Sequence, residues 1–361
     1  MAMLMFVAGL IFLIVGAEAL VRGASRLATA LGISPLVIGL TVVAFGTSSP
    51  ELAVGIKAAL SGQGDIVLGN VVGSNIFNIL FVLGVSALIV PLVVSQQLVR
   101  LDVPLTIALS VLVLVFSFDG SISRTEGLIL VAGLCIYVWF LIHQSRKESG
   151  DVKEEYSKAF EVKERTKLGW VKNTTLVLGG LILLVLGSRW LVDGAVSFAQ
   201  YLGVSELVIG LTIVAVGTSL PEVVTSIVAA IRGERDIAVG NVVGSNILNI
   251  MGVLGVASIA APAGIEVSPA AISFDIPVMI AVAFACLPIF FTGGAINRLE
   301  GALLLGYYVA YTLYVVLTAS HHDALPGFSA AMLYFVIPLT VVTIIVMVLR
   351  EVRNSNNTRA R

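Results

Sequence analysis

Long apolar stretches dominate this chain, and short segments rich in Gly, Pro or charged residues separate them. Apolar stretches of roughly 18–30 residues are long enough to cross a bilayer as helices. The pattern predicts eleven such helices, five before and six after the only long polar stretch. Their predicted ranges are 2–30, 33–60, 66–91, 101–119, 124–143, 173–202, 204–231, 237–260, 271–292, 297–318 and 331–350.

The chain also contains an internal repeat with an offset of 171 residues. Residues 38–60 match residues 209–231 at 14 of 23 positions, and residues 65–85 match residues 236–256 at 16 of 21. Because five helices precede the second copy, it enters the bilayer from the opposite side. We therefore predict an all-α integral membrane protein with two inverted-topology five-helix repeats, a ten-helix core, and an eleventh C-terminal helix.

Composition supports the lipid bilayer as the surroundings of this chain. Only 12% of its residues are charged and 58% are hydrophobic, whereas a soluble domain has about 25% charged residues. The net charge of −1 and the lack of a basic stripe argue against nucleic acid as a partner. We expect a first repeat in residues 1–143, a cytoplasmic linker in 144–172, a second repeat in 173–318, and an extra helix with a cytoplasmic tail in 319–361.

The positions of Lys and Arg predict the orientation in the membrane. If the N-terminus is outside, 18 of the 21 Lys and Arg residues fall on the inside. Only Lys57, Arg124 and Arg189 then lie outside. We therefore expect an N-terminus outside the cell and a C-terminus in the cytoplasm.

Each repeat carries a glutamate directly after a helix-breaking segment, at residues 46–51 and 217–222. Pro50 has no amide hydrogen, so we expect the Gly46 carbonyl to be free and the helix to break. Ser48 or Ser49 is expected to cap the second half-helix. Broken backbone and buried carboxylates at membrane depth both indicate a functional site.

A second block supplies polar side chains on one face of the next helix. Positions 70, 74 and 78 are Asn, Ser and Asn, and positions 241, 245 and 249 repeat that pattern. Residues four apart lie on the same side of a helix, so each set forms one polar stripe. The two stripes are expected to face the glutamates.

The predicted site offers hard oxygen ligands. Glu51 and Glu222 supply up to four carboxylate oxygens, and main-chain carbonyls near Thr47 and Thr218 supply two more. Six oxygens and two negative charges suit Ca²⁺, and no Cys or His is near to favour a soft metal. The same carboxylates can instead hold monovalent cations or protons, which is the mutual exclusivity an antiporter requires.

Two other classes of function stay open at this point. A cation channel would also use buried carboxylates, although usually as rings from several subunits. An intramembrane enzyme would need a nucleophile and base or a metal cluster, and the apolar spans contain no His or Cys cluster for either. We therefore expect no enzymatic activity and no cofactor beyond the transported ions.

In the motifs GTSSPE…GNVVGSNIFN and GTSLPE…GNVVGSNILN the chain resembles the calcium/cation antiporter superfamily, which includes sodium/calcium exchangers. The resemblance covers helices one to ten. It implies a core in which helices two, three, seven and eight surround the ions, while helices one and six slide. It further implies a Ca²⁺/Na⁺ exchanger of the bacterial inner membrane, with a Ca²⁺/H⁺ antiporter as the alternative. A monomer is compatible with this arrangement.

The resemblance also implies a set of ligands. They are the carbonyls of Ala44, Thr47, Ala215 and Thr218, and the side chains of Ser48, Glu51, Ser74, Asn78, Ser219, Glu222 and Ser245. Position 249 departs from the sodium/calcium exchangers, in which an aspartate is usual, because Asn249 stands here. We keep Asn249 in the candidate set, and the departure leaves Na⁺, H⁺ and K⁺ open as counter-ions.

Overall fold

The computed structural model describes residues 2–147, 167–201, 215–291, 294–342 and 345, most of which are helical. In this part of the chain nine helices are long and apolar enough to cross a membrane, and α2 with α3 forms a tenth span bent by 48°. The helices are α1 (Ala2–Leu31), α2 (Pro35–Thr47), α3 (Ser49–Leu60), α4 (Gly64–Ile89), α5 (Leu98–Phe116), α6 (Arg124–Lys147), α7 (Lys167–Tyr201), α8 (Ala215–Gly217), α9 (Leu220–Ile231), α10 (Arg235–Ala260), α11 (Ala271–Phe291), α12 (Arg298–Ala319) and α13 (Leu325–Val342).

Ten of the eleven predicted spans correspond to these helices. The predicted seventh span is described only from Ala215 onward, because residues 202–214 lie outside the described part. Of the predicted linker, residues 148–166 lie outside it as well, while α6 continues to Lys147 and α7 begins at Lys167. The last helix begins six residues earlier than predicted, with Pro326 in its first turn, where proline is tolerated.

Two short antiparallel ribbons connect the repeats. Strand β1 (Leu92–Val93) pairs with β4 (Ala295–Ile296), and β2 (Ser121–Ile122) pairs with β3 (Ile265–Glu266). β1 and β3 follow the equivalent helices α4 and α10, and β2 and β4 precede the equivalent helices α6 and α12. Exchanging the two repeats therefore exchanges the two ribbons, as an inverted repeat requires.

Helices α1 and α7 pack backbone against backbone, a contact that the sequence analysis missed. A Cβ atom added to Gly16 would lie 2.8 Å from the Gly180 carbonyl oxygen, and one added to Gly180 would lie 2.7 Å from the Gly16 carbonyl oxygen. Gly9 and Gly187 approach each other in the same way, seven residues along each helix. Small residues at such spacings let membrane helices approach closely.

Helices α4 and α10 occupy the centre of the molecule and are the most buried of the candidate spans in the described part. Helix α10 lies against α2, where a Cβ atom on Gly244 would come within 2.7 Å of the Leu40 backbone. Residues 207 and 211, the repeat equivalents of Leu36 and Leu40, lie outside the described part. The polar stripes of α4 and α10 are therefore central to the fold.

Helix α13 packs on the periphery. None of its residues from Leu325 to Val336 is buried. The Tyr307 hydroxyl of α12 donates a hydrogen bond to Thr340 Oγ1 at 2.7 Å. The core formed by the two repeats thus does not depend on burial of this helix.

Candidate cation site

The helix break lies where the sequence predicts it. α2 ends at Thr47 and α3 begins at Ser49. The prediction of a free Gly46 carbonyl is wrong, because Ser49 Oγ donates to that oxygen at 2.7 Å. In the second repeat Leu220 replaces this serine, and Ser188 of α7 donates to the Gly217 carbonyl instead. A buried carbonyl without a donor is costly, and each repeat avoids that cost with a different serine.

The two glutamates are buried and are held by serines of the opposite repeat. Glu51 and Glu222 are each 1% exposed. Ser48 Oγ donates to Glu222 Oε1 at 2.9 Å, and Ser219 Oγ donates to Glu51 Oε1 at 2.8 Å. Ser48 stands at the N-cap position of α3 without a side-chain capping bond, so the capping prediction is wrong. The hydroxyl is used by a carboxylate across the repeat interface rather than by its own helix.

The polar stripes of α4 and α10 hold the backbone that follows each break. Asn70 Nδ2 donates to the Glu51 carbonyl oxygen at 3.1 Å, and Asn241 Nδ2 donates to the Glu222 carbonyl oxygen at 3.5 Å. Asn241 Oδ1 also accepts a hydrogen bond from Thr47 Oγ1 at 3.0 Å. These contacts join each broken helix to its stripe helix and fix the position of each glutamate.

The serines of the stripes lie beside the same carboxylates. Ser74 Oγ lies 3.1 Å from Ser219 Oγ, which is the donor to Glu51. Ser74 and Ser245 are both buried. The structure thus brings the side chains of the broken helices and of the stripes together in one buried polar region.

Several buried oxygens in this region have no hydrogen-bond partner within the described residues. Neither glutamate forms an ion pair with a Lys or Arg there. A buried oxygen without a donor is rare and costly, so these atoms favour a cation as their partner. The unpartnered oxygens at predicted ligand positions are Glu51 Oε2, Asn78 Oδ1, Glu222 Oε2, Ser245 Oγ and Asn249 Oδ1.

Two asparagines that the sequence analysis missed contact the stripe amides. Asn78 Nδ2 donates to Asn246 Oδ1, and Asn249 Nδ2 donates to Asn75 Oδ1, each at 3.1 Å. Asn75 and Asn246 are both 1% exposed. Each follows the serine of its stripe, and the two copies of the repeat keep both asparagines, which is the signal that could have identified them.

The remaining predicted ligands are carbonyls near the breaks. The Ala44 carbonyl accepts hydrogen bonds from the Ser48 amide at 2.9 Å and from Thr47 Oγ1 at 3.3 Å. Ala215 is the first residue of α8, and Thr218 lies between α8 and α9. These carbonyls therefore belong to the same breaks as the glutamates.

A cavity of about 400 Å³ reaches the two helix breaks from one end of the molecule. It lies between α3 and α7. Among its lining residues are Ser49, Gly217 and Thr218 at the breaks, and Lys57, Arg189 and Asp193 toward the molecular surface. The breaks are therefore accessible from the end of the molecule that contains Lys57.

Comparison with known proteins identifies one family, and its match covers both repeats. The sequence profile of the family described as sodium/calcium exchanger protein matches residues 1–143 and 172–317. The sodium/calcium exchanger MaX1 of Methanosarcina acetivorans is 37% identical, over 85% of this chain and 96% of its own length. The inner membrane protein YrbG of Escherichia coli is 38% identical, over 78% of this chain and 86% of its own length.

Solved structures give the same result for the fold. A structure of the sodium-calcium exchanger NCX_Mj, soaked with Na⁺ and Sr²⁺, is 32% identical in sequence with a TM-score of 0.72. The match covers 88% of this chain and 97% of that chain. The ten-helix core of inverted repeats is therefore shared with a solved protein of known architecture.

Proposed function

The chain belongs to the sodium/calcium exchanger protein family, and from that premise we propose that it is a secondary active antiporter exchanging Ca²⁺ for Na⁺. The observation that carries the proposal is the reciprocal pairing of Glu51 and Glu222. One oxygen of each carboxylate accepts a serine hydroxyl from the other repeat, and the second oxygen is buried without a partner. Two such carboxylates balance the charge of one divalent cation.

The proposed ligands extend beyond the glutamates to neutral oxygens of both repeats. Hydroxyl, amide and carbonyl oxygens suit Ca²⁺ and Na⁺, which are hard cations. The full proposed set is Ala44, Thr47, Ser48, Glu51, Ser74, Asn78, Ala215, Thr218, Ser219, Glu222, Ser245 and Asn249. Because the same oxygens serve either ion, occupancy by Na⁺ excludes Ca²⁺, and each ion drives the other across the membrane. We propose no cofactor beyond the transported ions.

A Ca²⁺/H⁺ antiporter is the second candidate, and Asn249 is the observation that favours it. With asparagine at this position, the glutamates are the ionisable side chains of the proposed set, and an amide neither carries charge nor releases a proton at physiological pH. The negative charge available to Na⁺ is therefore lower than with an aspartate. Exchange of one Ca²⁺ for two protons on the two glutamates would keep the site neutral.

We further propose a multi-pass protein of the bacterial inner membrane with its N-terminus outside and its C-terminus in the cytoplasm. The excess of Lys and Arg on one side supports this orientation. The division into repeats at 1–143 and 173–318, a cytoplasmic linker at 144–172 and an extra helix with a tail at 319–361 belongs to the same proposal. In this orientation the cavity beside Lys57 opens to the outside.

The test is uptake of ⁴⁵Ca²⁺ into proteoliposomes that contain the purified protein, with Na⁺ and pH gradients imposed separately. We expect the Na⁺ gradient to drive uptake. Glu51→Gln and Glu222→Gln each remove a negative charge at nearly constant shape and are expected to lower the uptake rate by about 100-fold or more, since a charged ligand of the cation is lost.

Glu266→Gln is the matched control, because Glu266 is an exposed glutamate in the β3 ribbon. We expect its uptake rate to equal that of the unchanged protein. Transport that persists in both buried-glutamate variants would reject the site. Uptake driven by the pH gradient and indifferent to Na⁺ would replace the first candidate with the second. Ion currents without exchange would indicate a channel.

A further inference from the structure

Two asparagines outside the proposed ligand set make a crossed contact at the centre of the molecule. Asn75 of α4 donates from Nδ2 to the Asn246 carbonyl oxygen at 3.3 Å. Asn246 of α10 donates from Nδ2 to the Asn75 carbonyl oxygen at 3.4 Å. Both side chains are buried, so water does not compete for these bonds. In each bond the side chain of one stripe helix contacts the main chain of the other, so the two helices are joined in both directions.

These two bonds determine which end of each amide is oxygen. A main-chain carbonyl can only accept a hydrogen bond, so the atom that Asn75 presents to it must be the nitrogen. Asn75 Oδ1 therefore points the other way, toward Asn249. An oxygen there can only accept, which means that Asn249 must present its nitrogen to Asn75. In the same way, Asn246 Oδ1 points toward Asn78, so Asn78 must present its nitrogen to Asn246.

The consequence falls on the proposed ligand atoms. Since the nitrogens of Asn78 and Asn249 are directed to the opposite repeat, their Oδ1 atoms are left as the free ends, and both are buried without a partner. A reversed amide would present N–H groups, the positive end of its dipole, to a cation. Residues that hold a metal ligand in its binding orientation are usually its hydrogen-bond partners.

We propose that Asn75 and Asn246 are positioning residues, which hold the amides of Asn249 and Asn78 with oxygen toward the transported cation. This inference depends on the proposed function, because it assumes that a cation binds at those oxygens. Neither residue touches the cation in this scheme. Each acts on the ligand amide of the opposite repeat, so the two halves of the site are oriented by each other.

Equilibrium ⁴⁵Ca²⁺ binding to the purified protein in detergent tests the proposal through a double-mutant cycle. Asn75→Leu keeps the approximate size of the side chain and removes the acceptor for Asn249. We expect this change to weaken Ca²⁺ binding by about tenfold, the lower end of the range for partners of a metal ligand. Asn249→Asp makes both terminal atoms oxygens, so that orientation no longer matters.

In the Asn249→Asp background, Asn75→Leu is expected to leave Ca²⁺ affinity unchanged or to raise it, since no amide remains to be oriented and the repulsion between Asn75 Oδ1 and the introduced carboxylate is removed. A purely structural role for Asn75 predicts the same loss in both backgrounds and would overturn the proposal. The pair Asn246→Leu and Asn78→Asp repeats the cycle for the other half of the site. If a leucine variant does not elute as a folded protein, the cycle is run with alanine at that position.

The outcomes separate this inference from the proposed function. Tight binding by the unchanged protein, loss of binding in Glu51→Gln and no effect of Asn75→Leu would leave the antiporter site in place and reject the positioning role. If the unchanged protein binds neither Ca²⁺ nor Na⁺, both proposals are rejected.

Discussion

Glu18 in α1 and Arg189 in α7 occupy equivalent positions in the two repeats, but their surroundings differ. The Glu18 carboxylate pairs with Arg22, one helical turn on, and with Arg232 at the end of α9. Arg189 is exposed and lines the 400 Å³ cavity. The end of the α1–α7 pair that contains Glu18 is therefore held to the end of α9, and we call it the bound end. The other end borders the cavity.

A second contact strengthens the bound end. Ser25 Oγ donates to Glu234 Oε1 at 2.7 Å, and burial raises the pKa of Glu234 above its usual value. The repeat equivalents of Arg232 and Glu234 are Ser61 and Gln63, which carry no charge. The contacts that Arg232 and Glu234 make at the bound end therefore have no charged counterpart at the end that contains the cavity.

At the centre of the molecule, in contrast to the ends, the contacts are equivalent in the two repeats. There the Ser48–Glu222 bond in one direction has the Ser219–Glu51 bond as its equivalent in the other. A central site must offer the same ligands to ions that arrive from either side, so symmetry suits it. If the proposed exchange opens the two ends in turn, a difference between the ends favours one of the two states. In that proposed cycle, symmetry at the site and asymmetry at the ends serve different steps.

The largest effect is expected where the two repeats meet along α1 and α7. Gly180→Ala places a methyl group 2.7 Å from the Gly16 carbonyl oxygen, so the helices must separate. We expect the free energy of unfolding to fall by about 1–3 kcal/mol, the usual cost of overpacking. Denaturant titration in detergent measures the free energy of unfolding. Uptake of ⁴⁵Ca²⁺ is expected to fall in parallel, because the same contact connects both ends of the molecule.

The neighbouring glycine provides the control for this substitution. Apart from its chain neighbours and the backbone of its own helix, no atom of the described residues lies within 4 Å of a Cβ placed on Gly179. Gly179→Ala is therefore expected to leave uptake unchanged, and it can stabilise the helix by up to about 1 kcal/mol through its better helix propensity. Equal losses in both variants would show that the contact is not specific to the α1–α7 interface.

The helix break and its glutamates could be predicted from sequence because they rest on local chemistry that occurs twice. Proline removes a donor wherever it stands, and the repeat of Pro, Gly and Glu gives the position of both breaks. The serine partners could not be predicted in this way. Whether a hydroxyl caps its own helix or reaches a carboxylate depends on what the tertiary fold places beside it, as with Ser48 and Glu222.

The same reason explains why the α1–α7 contact and Ser188 were missed. The glycines of α1 and α7 are visible in the sequence, but no local pattern says which helix lies against them. Ser188 stands in an apolar helix without a motif, and its role appears only because Leu220 leaves the Gly217 carbonyl without a local donor. Contacts between residues far apart in sequence were not accessible to sequence reasoning, whether they lie within one repeat, as Ser188 and Gly217 do, or between repeats, as α1 and α7 do.

A smaller effect is expected from the serines at the two breaks. Ser188→Ala leaves the Gly217 carbonyl without its hydroxyl donor. We expect the free energy of unfolding to fall by about 1 kcal/mol, at the low end for a buried acceptor because the adjacent cavity admits water. Adding Leu220→Ser gives the second repeat the local serine that the first repeat uses, and is expected to restore most of the loss.

Ser197→Ala is the control for that comparison, because Ser197 also lies on α7 and its hydroxyl binds an exposed carbonyl of the same helix. It is expected to change the unfolding free energy by less than about 0.5 kcal/mol. If Ser188→Ala resembles this control, or if Leu220→Ser restores nothing, the two breaks do not use their serines as equivalents.

The smallest effect concerns the bound end itself. Arg232→Gln removes one of the two partners of Glu18, while Arg22 remains. Because these side chains are partly exposed, at 25% for Glu18 and 49% for Arg232, the pair is screened by solvent and contributes about 0.2–1 kcal/mol. We expect faster hydrogen–deuterium exchange of backbone amides in residues 18–31, by up to about fivefold.

Arg235→Gln, three positions on, is the matched control, since Arg235 has no ion pair within the described residues. The difference between the two variants should shrink in high salt, because added ions screen partly exposed charges and so weaken the pair in the unchanged protein. Exchange that is equally fast in both variants, or insensitive to salt, would mean that the ion pair does not hold this end. The asymmetry between the ends would then rest on the partly buried Ser25–Glu234 contact alone, whose hydrogen bond depends less on ionic strength.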